Sequence, residues 1–287
     1  MRLDPTIPIA SLLLVIATAA FAAHHESPEA DEAPFSIESA LAGDWRSDAE
    51  RSRDPSRHPR EVLEFFGLGP GMTVVEISPG GGWYTKILAP YVNRTGGNFF
   101  AAGFDPKDES AYAQRGLRGF QTNFIDQPET YGKIEVTVAG ANSEGVAPDG
   151  SADLVLTFRS AHNWVASGYA EKVFADMFRA LAPGGVLGVV DHRLPSNRED
   201  PKFATGYVHE AVVIALAEGA GFVLEANSAL NDNAADSADH PFGVWTLPPT
   251  ARSSPFGEPD NPDFDRAPFD AIGESDRFTL RFRKPSD

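Results

Sequence analysis

The chain has 287 residues, of which 42% are hydrophobic, and its formal net charge is −17. This hydrophobic fraction is typical of a globular protein and excludes a wholly disordered one, and there is no repeat at a fixed period that would indicate a solenoid. The acidic balance repels phosphate backbones, so nucleic acid is not an expected partner. The absence of cysteine excludes disulfides, thiolate metal ligands and a lipoprotein anchor.

The first residues have the layout of a secretory signal peptide. An apolar run follows Arg2 and ends at the small-x-small sequence Ala20-Phe21-Ala22, which provides a cleavage site. We therefore predict a signal peptide over residues 1–22 and a periplasmic or secreted protein. An uncleaved amino-terminal anchor is the alternative, and it is the one membrane contact that we expect. The polar residues 23–34 are predicted to form a disordered leader.

The rest of the chain divides into a charged region and a longer, regularly patterned one. Residues 35–66 are predicted to form an N-terminal helical cap, and residues 67–287 the main domain. Within the main domain we predict strands at MTVVEI, GNFFAAGFD, KIEVTVA, ADLVLTF, VLGVVD, FVLEA and RFTLRFR, and helices at WYTKILAPYV, residues 109–120, YAEKVFADMFRAL and residues 203–218. This alternation predicts a doubly wound α/β sheet with largely parallel strands. Ligands of such sheets bind at the carboxyl ends of the strands.

The first strand runs into three glycines in VVEISPGGGWYT, residues 74–85. Glycine permits a tight strand-to-helix turn and lets a ligand touch the backbone, and both dinucleotides and S-adenosylmethionine use this layout. The dinucleotide fingerprint G-x-G-x-x-G requires a third glycine where Thr85 stands. The alternative pattern, E/D-x-G-x-G-x-G, extends from Glu76 to Gly82 with Ser78 in place of the first glycine. An acid before the turn suits a cationic ligand group better than a pyrophosphate.

A second acidic residue, Asp105, ends the next predicted strand, 23 positions beyond Gly82. A carboxylate at this place can accept hydrogen bonds from both ribose hydroxyls of a nucleoside. Dinucleotide folds share the spacing, so it indicates a nucleoside without choosing one. The alternative is that Asp105 only forms a turn before Pro106.

These motifs resemble those of class I S-adenosylmethionine-dependent methyltransferases, from about Gly69 to Arg283. EISPGGGWYT is similar to the glycine motif of protein-isoaspartate methyltransferases, and PDGSADLVLTFRSAHNW and RALAPGGVLGVVDHR resemble segments of small-molecule methyltransferases. The overall arrangement resembles predicted exported methyltransferases of bacteria. The resemblance implies a Rossmann-like sheet of seven strands with an antiparallel last strand. It also implies the cofactor-binding residues Glu76, Gly80 and Gly82 at the methionine part, Ser78 in the same turn, Asp105 at the ribose and, by a looser match, Asn142 near the adenine.

The candidate catalytic residues follow the fourth and fifth predicted strands. Arg159, His162 and Asn163 come after ADLVLTF, and His162 is a candidate general base. The alternative is that this segment only packs and caps the next helix. Asp191 is also a candidate, but adjacent strand residues point to opposite faces, so we expect at most one of Asp191 and His192 to face the site.

Two further predictions concern the charged residues before the first strand and the possibility of a metal site. Residues 46–61 form a charged stretch that can fold over the cofactor as a lid, with Arg53, Arg57 and His58 meeting an anionic acceptor. A solvated helix face is the simpler reading, and we prefer it. The seven histidines are scattered without ligand spacing, so no metal site is predicted.

The leading hypothesis is an enzyme that transfers a methyl group from S-adenosylmethionine to a small-molecule acceptor, as a monomer or dimer. An NAD(P)-dependent oxidoreductase is the second hypothesis, and a non-enzymatic exported module with a nucleoside pocket is the third. Export leaves open how the protein meets a cofactor made in the cytoplasm. Either the leader anchors a domain that faces the cytoplasm, or the cofactor reaches the outer compartment, or the domain binds something else.

Overall fold

The computed structural model describes Met1 and residues 34–286 of the chain. Apart from Met1 and Pro34, the predicted signal peptide and leader lie outside the described residues. Among the residues that are described, no helix combines the length and apolar character that crossing a membrane requires.

Helices and strands alternate through most of the described chain. The strands are β1 (Thr73–Ile77), β2 (Asn98–Gly103), β3 (Ile134–Val138), β4 (Ala152–Phe158), β5 (Leu181–His192), β6 (Val223–Ser228), β7 (Pro241–Val244) and β8 (Arg277–Arg283). The helices are α1 (Ile37–Ala42), α2 (Asp48–Arg51), α3 (Asp54–Arg57), α4 (Pro59–Phe66), α5 (Thr85–Arg94), α6 (Ala111–Phe120), α7 (Pro128–Tyr131), α8 (Ala161–Ala166), α9 (Ala170–Ala180), α10 (Glu210–Gly219) and α11 (Ala267–Ile272). A π-helical turn, Gln121–Ile125, follows α6.

Seven of the strands form one sheet in the order β3-β2-β1-β4-β5-β8-β6. β1 pairs in parallel with β2 and β4, and β4 pairs in parallel with β5, while β8 runs antiparallel to both β5 and β6. The predicted α/β sheet with an antiparallel last strand is therefore confirmed. Strand order reverses between β1 and β4, which is where such sheets bind their ligands.

Helices cover both faces of the sheet. Val74, on one face, packs in a cluster with residues of α1, α4 and α5, whereas Val75, on the other, packs with α9 and α10. Because both faces are buried, β1 and β4 lack the apolar–polar alternation of a strand with one face in solvent.

Two element boundaries differ from the predicted ones by five residues or more. The helix predicted over residues 203–218 begins at Glu210, because Val208 forms a bridge with Arg193 and the buried Tyr207 donates its hydroxyl to Asp236. The strand predicted from Val186 begins at Leu181, so that Pro183-Gly184-Gly185 lies inside β5. The pairing of β4 with β5 is irregular between Ala152 and Leu154, next to these residues.

One edge of the sheet collects the segments predicted to carry function. The carboxyl ends of β1, β2, β4 and β5 lie there because these strands are parallel. Since β8 is antiparallel, its first residue, Arg277, lies at the same edge and pairs with His192, the last residue of β5.

Candidate active site

The glycine turn after β1 has an open side and a packed side. Ser78, Gly80 and Gly82 all have left-handed backbone, with φ of 53°, 58° and 76°. A Cβ at Gly80 would meet only the Ser78 carbonyl, at 4.0 Å, and one at Gly81 would meet nothing within 4 Å. Within the described chain, the N–H groups of Gly80 and Gly81 have no hydrogen-bond partner. Gly80 and Gly81 therefore leave room for a ligand and offer it donors.

Gly82 serves a different purpose from its neighbours. A Cβ there would lie 2.0 Å from Cζ of Phe124, a buried residue of the π-helical turn. The third glycine of GGG is thus required by packing inside the protein, and its link to the cofactor stays a prediction.

Glu76 is buried near the end of β1, and its Oε2 accepts a hydrogen bond of 2.6 Å from Oγ1 of Thr85. Burial raises the pKa of Glu76 to about 7, although the Thr85 hydroxyl opposes the shift. Thr85 occupies the position where a dinucleotide fingerprint has its third glycine. The Thr85 hydroxyl orients the Glu76 carboxyl, so the threonine that replaces the fingerprint glycine has a structural role.

The other predicted cofactor residues lie in loops after β2 and β3. Asp105 is half-buried, and its Oδ1 accepts a hydrogen bond of 2.8 Å from the backbone N–H of Lys107. It thus forms the turn expected of an aspartate before proline, and its Oδ2 has no hydrogen-bond partner among the described residues. Asn142 is exposed, and its side chain makes no hydrogen bond within the described chain. Their roles at the ribose and adenine stay predictions.

His162 and Asp191 form a buried pair between β4 and β5. Nδ1 of His162 lies 2.8 Å from Oδ1 of Asp191, and the backbone N–H of His162 donates to Oδ2 at 3.0 Å. The first residues of α8 thus fix the imidazole against the carboxylate. Nε2 of His162 has no hydrogen-bond partner in the part of the chain described. A histidine held by a carboxylate through Nδ1 and open at Nε2 has the arrangement of a general base.

His192 lies beside this pair, contrary to the expected alternation. Its ring centroid is 5.2 Å from that of His162, and its Nδ1 is 2.6 Å from Oγ of Ser275. The expectation that only one of Asp191 and His192 would face the site is wrong, because the Asp191 carboxylate turns back to accept the N–H of His192. Burial, with the charges of His162 and nearby arginines, holds the pKa of His192 well below its ordinary value, so His192 is neutral.

The two remaining catalytic candidates differ in their surroundings. Arg159 is half-buried after β4, with a left-handed φ of 57°, and its guanidinium has no hydrogen-bond partner among the described residues. Asn163 is exposed, and its side chain is likewise unbonded. Tyr84, after the glycine turn, stacks on Phe158 at a centroid distance of 3.5 Å and thus joins the ends of β1 and β4.

An arginine cluster surrounds one carboxylate at this edge. Glu274 accepts hydrogen bonds from Nε of Arg53 at 2.8 Å, from Nε of Arg57 at 3.0 Å and from Nη1 of Arg277 at 3.0 Å. Burial opposes ionisation of Glu274, but the arginines outweigh it and lower its pKa to about 2. Arg57 is only 2% exposed, so the preferred reading of a solvated helix face is wrong for this residue.

Three side chains of the site have the geometry of a possible metal centre. Ligand atoms of His162, Asp191 and His192 lie within 4.8 Å of one another, and all three residues are buried. However, both oxygens of Asp191 already accept hydrogen bonds, and charges of Arg57, Arg159 and Arg277 act on His192. These surroundings disfavour a cation, and the absence of a metal stays a prediction.

Several residues of the site were missed from the sequence. They are Tyr84, Thr85, Ser275, Glu274 and Arg277. Thr85 had a signal, because it replaces a glycine of a known fingerprint. Glu274, Ser275 and Arg277 had none, since only the antiparallel placement of β8 between β5 and β6 brings them to this edge.

Comparisons with known proteins identify a methyltransferase-like segment in the chain. Residues 75–189 match a family model described as a methyltransferase domain, which is less than half of the chain. A curated relative is the sterol 24-C-methyltransferase of Yarrowia lipolytica, which is 29% identical over 210 residues. The alignment covers 66% of this chain and 50% of the relative, so the chain spans about half the length of that protein.

Solved structures share the fold at low sequence identity. A proposed sarcosine dimethylglycine methyltransferase from Galdieria sulphuraria is 15% identical, with a TM-score of 0.51 over 83% of this chain and 88% of that one. The (4+2)-cyclase SpnF is also 15% identical, with a TM-score of 0.51 over 86% of each chain. The protein thus has a Rossmann-like α/β fold shared with methyltransferases, and its residues 75–189 match a methyltransferase domain.

Proposed function

We propose that the protein is an S-adenosylmethionine-dependent methyltransferase whose small-molecule acceptor loses a proton. One observation carries this proposal: the acid-and-glycine turn after β1 and the His162–Asp191 pair lie at the same edge of the sheet. The turn provides a cofactor site, and the pair provides a base for the acceptor.

The residues after β1 and β2 fit the proposed cofactor. The free N–H groups of Gly80 and Gly81 suit its carboxylate, and Glu76 suits its ammonium group, because a neighbouring cation favours the ionised form of a buried acid. The unbonded oxygen of Asp105 suits a ribose hydroxyl. When bound, this cofactor supplies a methyl group activated on a sulfonium. The protein then mainly positions donor and acceptor.

His162 gives the site a group that can accept the acceptor's proton. Its Nε2 is free, while Asp191 holds Nδ1 and stabilises the imidazolium that forms when Nε2 takes a proton. A hydroxyl, thiol or amine acceptor therefore loses its proton to His162 as it becomes methylated. The neutral His192 beside it adds no positive charge that would oppose this protonation.

The dinucleotide alternative fits the turn less well. Close packing of helix on strand in the G-x-G-x-x-G motif depends on a glycine where this chain has the buried Thr85. The acid Glu76 also lies directly before the turn, where it would repel a pyrophosphate once ionised.

Calorimetric titration with S-adenosylmethionine, S-adenosylhomocysteine and NADH tests the proposal. We expect heat with both sulfur ligands and none with NADH. Heat with NADH alone would support the oxidoreductase instead. Binding of the sulfur ligands without turnover on a broad acceptor panel would support a non-enzymatic nucleoside-binding module.

The role of His162 has a separate test. In His162→Gln we expect S-adenosylhomocysteine to bind as in the wild type, while turnover falls roughly 100- to 10,000-fold, as expected for loss of a general base. His209→Gln is the control, since the His209 side chain makes no hydrogen bond in the described chain. Equal turnover in His162→Gln and the control would remove the base from the mechanism.

Export also belongs to this proposal, and it rests on residues 1–22 alone. Mass spectrometry of the amino terminus of protein recovered from outside the cytoplasm tests it. We expect the chain to begin near Ala23, and an intact Met1 would favour the uncleaved anchor.

A further inference from the structure

The arginine cluster around Glu274 contains more positive charge than its partners neutralise. It comprises Arg53, Arg57, Arg159 and Arg277 against Glu274, a surplus of three positive charges. Counting Asp191 as well still leaves a surplus of two. A local surplus of positive charge is unusual in a chain whose net charge is −17. It is also unfavourable, because burying a charge without a partner costs free energy.

Donor atoms of this cluster are left without acceptors. Nη2 of Arg53 and Nη2 of Arg57 are buried and have no hydrogen-bond partner within the described residues. The guanidinium of Arg159 is also unbonded, and burial together with Arg57 lowers its pKa to about 9. Arg57 lies over the ring of Trp83, 4.5 Å from its centroid, and Glu274 holds its Nε, so its position is fixed. Arg57 is thus held in place, and the cluster offers unused donors.

The cluster lies close to the proposed base. The charges of Arg159, Arg277 and Arg57 act on the buried His192, whose ring is 5.2 Å from that of His162. Arg277 pairs directly with His192 across β8 and β5. A group bound by these arginines would therefore lie near His192 and His162, in the part of the site where the acceptor is expected.

We propose that this cluster binds an oxyanion group of the acceptor, so that the substrate is an acidic small molecule such as a carboxylate. This inference rests on the proposed function. Guanidinium groups match carboxylates and other oxyanions through paired N–H donors, and the bound anion would neutralise the surplus charge. The cofactor also carries a carboxylate, and the experiment must therefore separate the two sources.

Anion binding to the full chain can be followed by tryptophan fluorescence, because Trp83 lies beneath Arg57. Sodium acetate and sodium sulfate are the probes, with sodium chloride holding the ionic strength constant. We expect saturable binding in the wild type and roughly 10- to 100-fold weaker binding in Arg159→Gln, as for loss of a charge-assisted hydrogen bond. Among the described residues Arg159 has no partner to lose, so this variant should fold normally. Arg198→Gln is the control, because within the same part of the chain the Arg198 side chain pairs with the exposed Asp239 alone.

Titration of the same variants with S-adenosylhomocysteine separates the two carboxylates. We expect Arg159→Gln to bind this ligand within about twofold of the wild type, because the proposed cluster binds the acceptor and not the cofactor. A twofold change corresponds to about 0.4 kcal/mol. An equal loss of both affinities would assign the cluster to the cofactor and overturn the proposal. Anion binding that is the same in Arg159→Gln and Arg198→Gln would overturn it as well. A wild type that binds the anion but neither sulfur ligand would refute the methyltransferase function and leave the anion site standing.

Discussion

Glu76 shows how a single residue couples binding to stability. Its carboxyl is buried, and its pKa is raised from 4.5 to about 7. The folded state therefore holds a proton that the unfolded state releases above pH 4.5. Binding of this proton stabilises the folded state by about 3 kcal/mol. The stabilisation is fully present below pH 4.5 and is lost as the pH rises through about 7.

We expect Glu76→Gln to abolish this part of the pH dependence. The amide oxygen can still accept the Thr85 hydroxyl, so the variant should match the wild type at pH 4.5 and be more stable at pH 8. Urea unfolding at both pH values measures the difference. Glu64→Gln, at an exposed position of α4, is the control. If the free energy of unfolding changes with pH in Glu76→Gln as it does in the control, Glu76 is not protonated in the folded protein.

Asp105 is the residue whose removal should separate binding from folding. It is half-buried and holds one turn hydrogen bond, to the N–H of Lys107. We expect Asp105→Ala to weaken S-adenosylmethionine binding strongly while the melting temperature stays nearly unchanged. Calorimetry and thermal unfolding measure the two effects.

Asp108→Ala is the matched control for Asp105, because Asp108 makes the same kind of turn bond to Ser110. Its cofactor affinity should equal that of the wild type. A collapse of the melting temperature in Asp105→Ala alone would make Asp105 a structural residue.

At the scale of residues, the sequence predicted positions near the site better than it predicted contacts. His162 and Asp191 were both candidates, but their pairing required knowing that α8 begins directly beside the end of β5. A run of charges usually lies in solvent, but Arg57 is buried against Glu274, a partner more than two hundred positions away that local sequence does not reveal.

Among the elements, the turn after β1 combines a ligand-facing half and a packing half. Gly82 has a φ of 76°, and a Cβ there would overlap the Phe124 ring. We expect Gly82→Ala to destabilise the fold by roughly 2–5 kcal/mol, from backbone strain and overpacking together. Chemical denaturation measures this loss.

Gly81→Ala is the control for the turn, because a Cβ at Gly81 meets nothing within 4 Å. It should leave stability nearly unchanged and weaken cofactor binding, since the added methyl group lies on the open side. Equal destabilisation by both substitutions would show that the whole turn is fixed by internal packing.

Elements with a clear period were predicted well, and those set by distant contacts were not. RFTLRFR was predicted as the last strand and is β8, because its alternation needs only local information. The start of α10 was placed too early, because the pairing of Val208 with Arg193 and the buried contact of Tyr207 with Asp236 are tertiary. Tertiary contacts of this kind routinely override local propensity.

On the scale of the molecule, Glu274 ties the amino-terminal helices to the last strand. Its pKa is lowered to about 2, so this contribution to stability is present above pH 4.5 and is lost as the pH falls towards 2. We expect Glu274→Gln to unfold about 3 kcal/mol more easily at pH 7 and to lack this acid-dependent loss. Urea unfolding between pH 2 and 7 measures both.

Glu225→Gln is the control for Glu274, because Glu225 pairs with Arg281 and Arg283 at the surface. Such exposed pairs contribute little, about 1 kcal/mol or less. If the two variants lose equal stability, the buried cluster contributes no more to the free energy of unfolding than the exposed pairs do. In Glu274→Gln, added sulfate should also restore part of the lost stability, because it replaces the missing negative charge.

The position of β8 has a consequence for the order of assembly. It is the last strand in the chain, yet it lies inside the sheet, between β5 and β6. Contacts between positions so far apart in sequence form late and slow folding. Until Arg277 and Glu274 arrive, Arg57 has no acceptor for its Nε and His192 has no strand beside it. A nascent chain that already contains residues 75–189 therefore lacks a finished site until residues 274–277 have also been made.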